Sequence, residues 1–307
     1  MTDLNDDAAM GFVGVSTGQS SIRKVFPAWA RVLGLPSDQL VGFDLPVGAS
    51  REQYREVVSA IRDDPGLRGA LITTHKIGVH DAAGDMFAEL DQFAGLCGEI
   101  SSVSKRGGAL IGHAKDPITA GLSIEEFLAP DHFAATGADL LCLGAGGAGT
   151  AIAWYLARRD DRPRRIVCTD TDERRLAELV EVLRRGGLDT GGVLTAVADG
   201  PADELVAACP EGSLIVNATG LGKDLPGSPL SDEVRWPRNA VVWELNYRGS
   251  LEFLHQARAH EESAQLTVVD GWRYFIHGWS QVIAEVFDLE LDEETVGELA
   301  AAAEAVR

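Results

Sequence analysis

Positive charge is scarce in this chain. Its 307 residues carry 27 Lys and Arg against 47 Asp and Glu, a formal net charge of −20 at pH 7, and only five of the cations are lysines. Such a surface repels nucleic-acid phosphates and anionic lipid headgroups, so neither is an expected partner. Cysteine is scarce too. Cys97, Cys142, Cys168 and Cys209 form no C-x-x-C pair, which fits a reduced, cytoplasmic protein without a disulfide framework. No apolar run approaches membrane-spanning length, and no basic-then-apolar leader opens the sequence. Internal repeats and low-complexity linkers are also lacking. His75, His80 and His113 follow no metal-ligand spacing, so no metal site is expected.

What is present is an ordinary globular composition, 45% apolar and 24% charged, in a chain long enough for two domains. Cys142 and Cys168 fall in expected strands and read as small core residues. The acidic run DLELDEE (288–294) reads as a solvated face, and the first ten residues, MTDLNDDAAM, are expected to fray.

Strand and helix patterns alternate along the chain. Strands are expected at 11–16, 40–46 and 69–74, with helices at 22–35 (Pro27 inside it) and 51–63 and a helical stretch from 76. Residues 101–116 suggest a hairpin turning at Arg106-Gly107-Gly108, followed by a helix at 119–130. A second set opens near 138 as strand, glycine turn, helix, then strand, turn, helix at 164–185. Further strands follow at 194–199, 212–220, 239–247 and 266–271. This alternation predicts an α/β protein with a doubly wound, Rossmann-type sheet. The expected division is a substrate-binding domain over 1–117, a nucleotide-binding domain over 118–271, and C-terminal helices over 272–307 that return to the first domain. Trp272, Tyr274, Phe275 and Trp279 read as core packing, with the polar-tipped Trp272 and Tyr274 the better pocket candidates.

GAGGAG contains G-x-G-x-x-G at Gly144, Gly146 and Gly149, with Gly147 and Ala148 between them. An apolar strand precedes it and a helix follows, which is the context a dinucleotide-binding turn requires. Gly144 permits the tight turn, Gly146 lets backbone amides approach a pyrophosphate, and the helix N-terminus adds its positive end. Asp170, closing the next strand, would accept bonds from the adenosine ribose hydroxyls and repel a 2′-phosphate. NAD is therefore the expected cofactor, NADP less so, although Arg174 and Arg175 could receive a phosphate. Asp172 also suits a helix cap for ERRLAEL.

Lys76 ends the apolar segment GALITTHK, where an unpartnered lysine is out of place. An alcohol dehydrogenase needs a group to take the hydroxyl proton as hydride leaves. A lysine serves if burial or nearby charge lowers its pKa, and a carboxylate such as Asp116 can orient it.

The order of these features resembles the shikimate and quinate dehydrogenases over nearly the full length. The matching segments are VSTGQSSI, GALITTHK, CGEISSV, AKD, GAGGAG, VNATG and WELNY. The resemblance implies a two-domain NAD(P)-dependent oxidoreductase with Lys76 and Asp116 as the catalytic pair. It places Asn217, Ala218 and Thr219 near the nicotinamide, and Tyr247 against the substrate. Ser20 matches the first serine of the family's carboxylate-binding loop, but Ile22 and Arg23 stand where its second serine and its proline belong. Arg23 could hold a carboxylate instead, or be a solvated helix residue. Ala70 and Ile72 replace the asparagine and threonine before the lysine, Ser101 replaces the next asparagine, and Lys115 a threonine. His277, Gly278 and Gln281 are candidates for the C-terminal glutamine, with Gln281 preferred. Losing polar contacts to substrate hydroxyls costs a specific site heavily, so a shikimate- or quinate-like substrate other than shikimate is expected. Two other readings follow from the resemblance, a non-catalytic quinate or shikimate sensor and a methylene-tetrahydrofolate dehydrogenase-like enzyme. The retained Lys76, Asp116 and glycine loop weigh against the sensor, and the full set of matching segments against the second. The expected partners are a small-molecule substrate and at most a second copy of the chain in a homodimer.

Overall fold

A computed structural model describes residues 8–223 and 225–307. The fraying expected of the first ten residues lies outside the described residues for 1–7. It does not hold for the next three, since Ala8 and Met10 are buried and Ala9 opens a strand. The chain divides into two compact units, one running to Asp116 and resuming over Ile276–Arg307, the other spanning Pro117–Phe275.

The first unit begins β1 (Ala9–Gly14), α1 (Ile22–Leu33), β2 (Leu40–Asp44), α2 (Arg51–Asp63) and β3 (Leu67–Ile72). It continues α3 (Lys76–Ala83), β4 (Glu89–Leu90), α4 (Gln92–Cys97), β5 (Ser102–Arg106) and β6 (Ala109–His113). Helix α5 (Asp116–Glu125) carries the boundary. The sheet order is β2-β1-β3-β5-β6-β4. Its first three strands are parallel, whereas β5 pairs antiparallel with both β3 and β6. Helix α2 shows why these residues fold locally: the Ser50 hydroxyl accepts from the Gln53 amide while the Gln53 side chain accepts from the Ser50 amide. Its face Tyr54, Val58 and Ile61 joins the core with Ala70, Ile72 and Val79, each large side chain worth roughly 1.5–3 kcal/mol when buried.

The helical stretch expected from 76 is broken in two. Helix α3 stops at Ala83, the two-residue β4 pairs with β6, and Asp91 starts α4 by accepting from the Ala94 amide at 2.7 Å. Gly98, at φ 64°, ends α4 in the left-handed region that favours glycine.

The second unit contains α6 (His132–Thr136), β7 (Leu140–Leu143), α7 (Gly147–Arg158), β8 (Ile166–Asp170), α8 (Glu173–Arg185) and β9 (Val193–Val197). There follow α9 (Asp203–Ala207), β10 (Leu214–Asn217), β11 (Val241–Glu244), α10 (Glu252–Ala259), α11 (Glu261–Ala264) and β12 (Thr267–Val269). All six strands are parallel in the order β12-β11-β10-β7-β8-β9. This is the doubly wound arrangement, with its switch point between β7 and β10. Strands β7 and β10 are buried throughout, apolar but for Asn217 at the end of β10, as inner parallel strands tend to be. Helix α12 (Trp272–Phe287) carries the second boundary, and α13 (Glu293–Glu304) lies in the first unit. There the Trp29 indole of α1 donates to the Leu299 carbonyl of α13 at 2.7 Å.

Candidate active site

Lys76 is the first residue of α3, four residues past β3, and not the end of the strand as its sequence suggested. Its backbone carbonyl accepts from the Ile100 amide at 3.1 Å, which ties the head of α3 to the segment between α4 and β5. Its ammonium donates to Asp116 Oδ1 at 2.6 Å and also to Oδ2. Asp116 opens α5, a favourable end of a helix for a carboxylate. Ser101 holds the approach to it: its hydroxyl accepts from the Lys115 amide at 2.7 Å and faces the His113 carbonyl.

The electrostatics differ from the lowered lysine pKa that proton transfer suggested. Burial pushes the Lys76 ammonium toward losing its proton, but the carboxylates of Asp116 and Glu99 outweigh burial and leave its pKa raised. Glu99 was not singled out in the sequence. It is 2% exposed, its Oε1 has no hydrogen-bond partner among the described residues, and burial with the nearby Asp116 carboxylate pushes its pKa up to about 8 against the pull of Lys76.

Other first-unit candidates are engaged elsewhere. Arg23 donates to the carbonyls of Leu40 at 2.5 Å and Thr17 at 3.3 Å, so its fork ties the loop after β1 to β2 and is not presented as an open carboxylate clamp. Ser101 likewise serves the backbone of the turn before Asp116. His75, a potential pocket residue beside Lys76, is buried in the core. Its Nε2 donates to the Leu45 carbonyl at 3.0 Å, so Nδ1 accepts from the Tyr54 hydroxyl at 3.1 Å, and burial lowers its pKa. Lys115 pairs with Glu285 at 2.6 Å. Ser20 is half-buried ahead of α1, and Gln281 half-buried on α12.

In the second unit the glycine loop turns at the switch point. Gly144 has φ 107°, and a Cβ there would lie 2.6 Å from the Ala218 carbonyl carbon. A Cβ on Gly149 would meet the Gly144 carbonyl oxygen at 2.0 Å. At Gly146 a Cβ would meet Arg175 Nη1 at 3.3 Å, a tight contact, but with the far end of a flexible side chain and not with backbone. Gly147 and Ala148 begin α7 and are half-buried. Backbone amides at the head of a twelve-residue helix, capped by no side chain, fit a pyrophosphate. Asp170 accepts from the Ala145 amide at 2.8 Å and the Asp172 amide at 3.0 Å, clamping the loop to the end of β8. Asp172 caps α8 through the Arg174 amide and also pairs with the Arg174 guanidinium.

Beside that loop, Asn217 is fully buried at the end of β10. It donates to Glu244 at 2.8 Å and accepts from the Thr219 amide and hydroxyl. The Ala218 amide donates to the Leu143 carbonyl at 2.7 Å. Glu244, also missed in the sequence, is pushed up to about 7 chiefly by burial, against the Asn246 and Asn217 hydrogen bonds. The Tyr247 ring centroid lies 4.4 Å from that of Phe275 and 5.8 Å from that of Trp272. Trp272 stacks on Phe275, and Tyr274 lies edge-on to Trp243, so both join an aromatic cluster.

Comparison with known proteins agrees with this layout. Residues 140–224 match the family model described as the saccharopine dehydrogenase NADP binding domain. A shikimate dehydrogenase (NADP(+)) of Symbiobacterium thermophilum is 30% identical over 239 residues, covering 76% of this chain and 74% of that protein. Among solved structures, a quinate dehydrogenase from Corynebacterium glutamicum in complex with NAD superposes with a TM-score of 0.73 at 22% identity, covering 98% of this chain and all of that one. The ligand-free 5-ketofructose reductase of a Gluconobacter strain shares the fold with a TM-score of 0.69 at 19% identity, covering 98% of each chain. The chain belongs to the shikimate dehydrogenase family, the shikimate/quinate group of NAD(P)-dependent oxidoreductases.

Proposed function

We propose that the protein interconverts a carbinol and a ketone on a carboxylated, shikimate- or quinate-like ring, with shikimate itself not its substrate. The observation that carries this reading is the ion pair between Lys76 and Asp116, 2.6 Å at its Oδ1 contact, in a chain whose glycine loop leads into α7 with no side chain capping the helix N-terminus. A bound nicotinamide supplies the hydride acceptor or donor. Lys76 moves the hydroxyl proton, and Asp116 orients the ammonium and holds its charge. Because the Asp116 carboxylate keeps Lys76 protonated against the pull of burial, the site is poised to donate a proton to a forming alkoxide, the reducing direction.

Several groups that would hold shikimate hydroxyls are absent or engaged. Ala70 and Ile72 belong to the apolar core, and the Ser101 hydroxyl serves the Lys115 amide. A shikimate hydroxyl placed against them would lose its hydrogen bonds to water without a replacement, which disfavours its binding. Ser20, Tyr247 and Gln281 remain as substrate contacts in this proposal. The shared fold leaves the ring open, since one structural neighbour is a 5-ketofructose reductase.

NAD is the proposed cofactor, with Asp170 against the ribose. The carboxylate disfavours a 2′-phosphate by like charge, although the Symbiobacterium relative carries NADP(+) in its name. Incubation with NAD or NADP and a panel of shikimate, quinate and amino- or deoxy-cyclitol acids, followed at the nicotinamide band, tests the whole reading. Turnover of a panel member other than shikimate is expected, and turnover of shikimate alone would refute the substrate assignment.

A further inference from the structure

We infer that Glu99 is a positioning residue for the Lys76 proton, a second carboxyl whose charge sets how tightly the lysine holds it. The inference rests on the reading of Lys76 as the proton-transfer group. It starts from placement. Glu99 follows Gly98, which ends α4, and precedes Ile100, whose amide is bonded to the Lys76 carbonyl. The chain is thereby fixed at the head of α3, and Glu99 is enclosed there with Lys76 and Asp116.

A buried carboxyl normally finds a donor. Glu99 Oε1 has none among the described residues, and it is closed to solvent. A substrate therefore does not reach that oxygen in this structure, and Glu99 acts through the lysine. Neighbouring charges offer it no other partner. Asp91, at the head of α4, accepts from the Ala94 and Ala114 amides and faces His113; His80 faces Asp81; Lys115 pairs with Glu285. The ionisable groups acting on Glu99 are Lys76 from α3 and Asp116 from α5.

The consequence is a two-state site. With Glu99 protonated, Lys76 faces one carboxylate and the cluster is neutral overall. With Glu99 ionised, Lys76 faces two anions and holds its proton more tightly. Proton donation to a forming alkoxide is thus easier while Glu99 keeps its own proton, and the two groups titrate as a pair.

The test is an NMR titration of the full chain labelled at lysine Cε, which gives only five signals, with Lys76 assigned from Lys76→Met. The Lys76 signal is expected to show a step near pH 8 as Glu99 ionises, in addition to its own titration at higher pH. In Glu99→Gln the step disappears and the lysine's own titration moves to lower pH. A step that survives the substitution, or a lysine titration that does not move, overturns the inference. Should Glu99→Gln not fold, wild-type protein labelled at glutamate Cδ decides it. A carboxyl titrating near pH 8 in step with Lys76 is expected, and its absence overturns the inference. None of these readouts needs turnover, so failure of the Lys76 reading itself, seen as activity surviving Lys76→Ala, stays distinguishable.

Discussion

At the scale of single residues, the site is a balance of charge against burial. Lys76 alone at the head of a helix would be disfavoured as an ammonium; the Asp116 carboxylate reverses that, and Glu99 adds to it once ionised. Oxidation needs a neutral lysine, so kcat for alcohol oxidation should rise with pH through the alkaline range while ketone reduction is sustained at neutral pH. Profiles in both directions check this, and an oxidation rate that falls as pH rises would contradict it. Glu244 gives a second prediction. Its folded pKa of about 7 lies above the ordinary glutamate value of 4.5. Below 4.5 both folded and unfolded chains hold the proton; between 4.5 and 7 only the folded chain does, so stability falls as pH rises across that window. The loss is on the order of 3 kcal/mol. Glu244→Gln should flatten that slope in urea unfolding curves, leaving the part due to Glu99, and an unchanged slope would contradict the assignment. Lys76 was legible in the sequence because a lysine beside a buried strand is out of place, and Asp116 as its partner through the order of segments that resembles the shikimate and quinate dehydrogenases. Glu99 was not, because a lone Glu between glycine and isoleucine reads as a loop residue until α3 and α5 converge on it.

At the scale of elements, the glycine loop works by close approach. Gly149→Val places side chain against the Gly144 carbonyl, where even a Cβ would lie at 2.0 Å. Overpacking of this kind costs roughly 1–3 kcal/mol, so NAD binding should weaken about tenfold or more. Gly18→Ala, which meets nothing within 4 Å, should leave binding unchanged; titration of protein fluorescence with NAD reads both. Ser50→Ala removes one arm of the α2 capping box and should cost about 1 kcal/mol in urea unfolding. Helix α2 could be read to the residue because its apolar spacing and its cap coincide. The start of α3 at Lys76 was legible as well, but its end was not: the apolar spacing runs on past Ala83, and Gly84 alone does not mark the stop strongly enough to divide it from α4. The two-residue β4 is too short to leave a periodic signal.

At the scale of the whole molecule, strand and helix alternation fixes the class, and the parallel order around β7 follows from it. The mixed sheet of the first unit does not follow, since β3 meets β5 only through non-local pairing. An excess of ligand at a hundred times its Kd stabilises a protein by about 2.7 kcal/mol. The melting temperature should therefore rise with NAD, and less with NADP at equal concentration; the reverse order would shift the cofactor assignment and the role of Asp170. The central claim is that Lys76 moves a substrate proton while a nicotinamide takes or gives hydride. Its most direct measurement is absorbance at the nicotinamide band for wild type and Lys76→Ala, with the cyclic acid from the panel that turns over, alongside NAD binding by fluorescence. The expected result is a fall in kcat of about 10²–10⁴-fold with NAD affinity preserved. Turnover that survives the substitution, or NAD binding lost with it, would contradict the account.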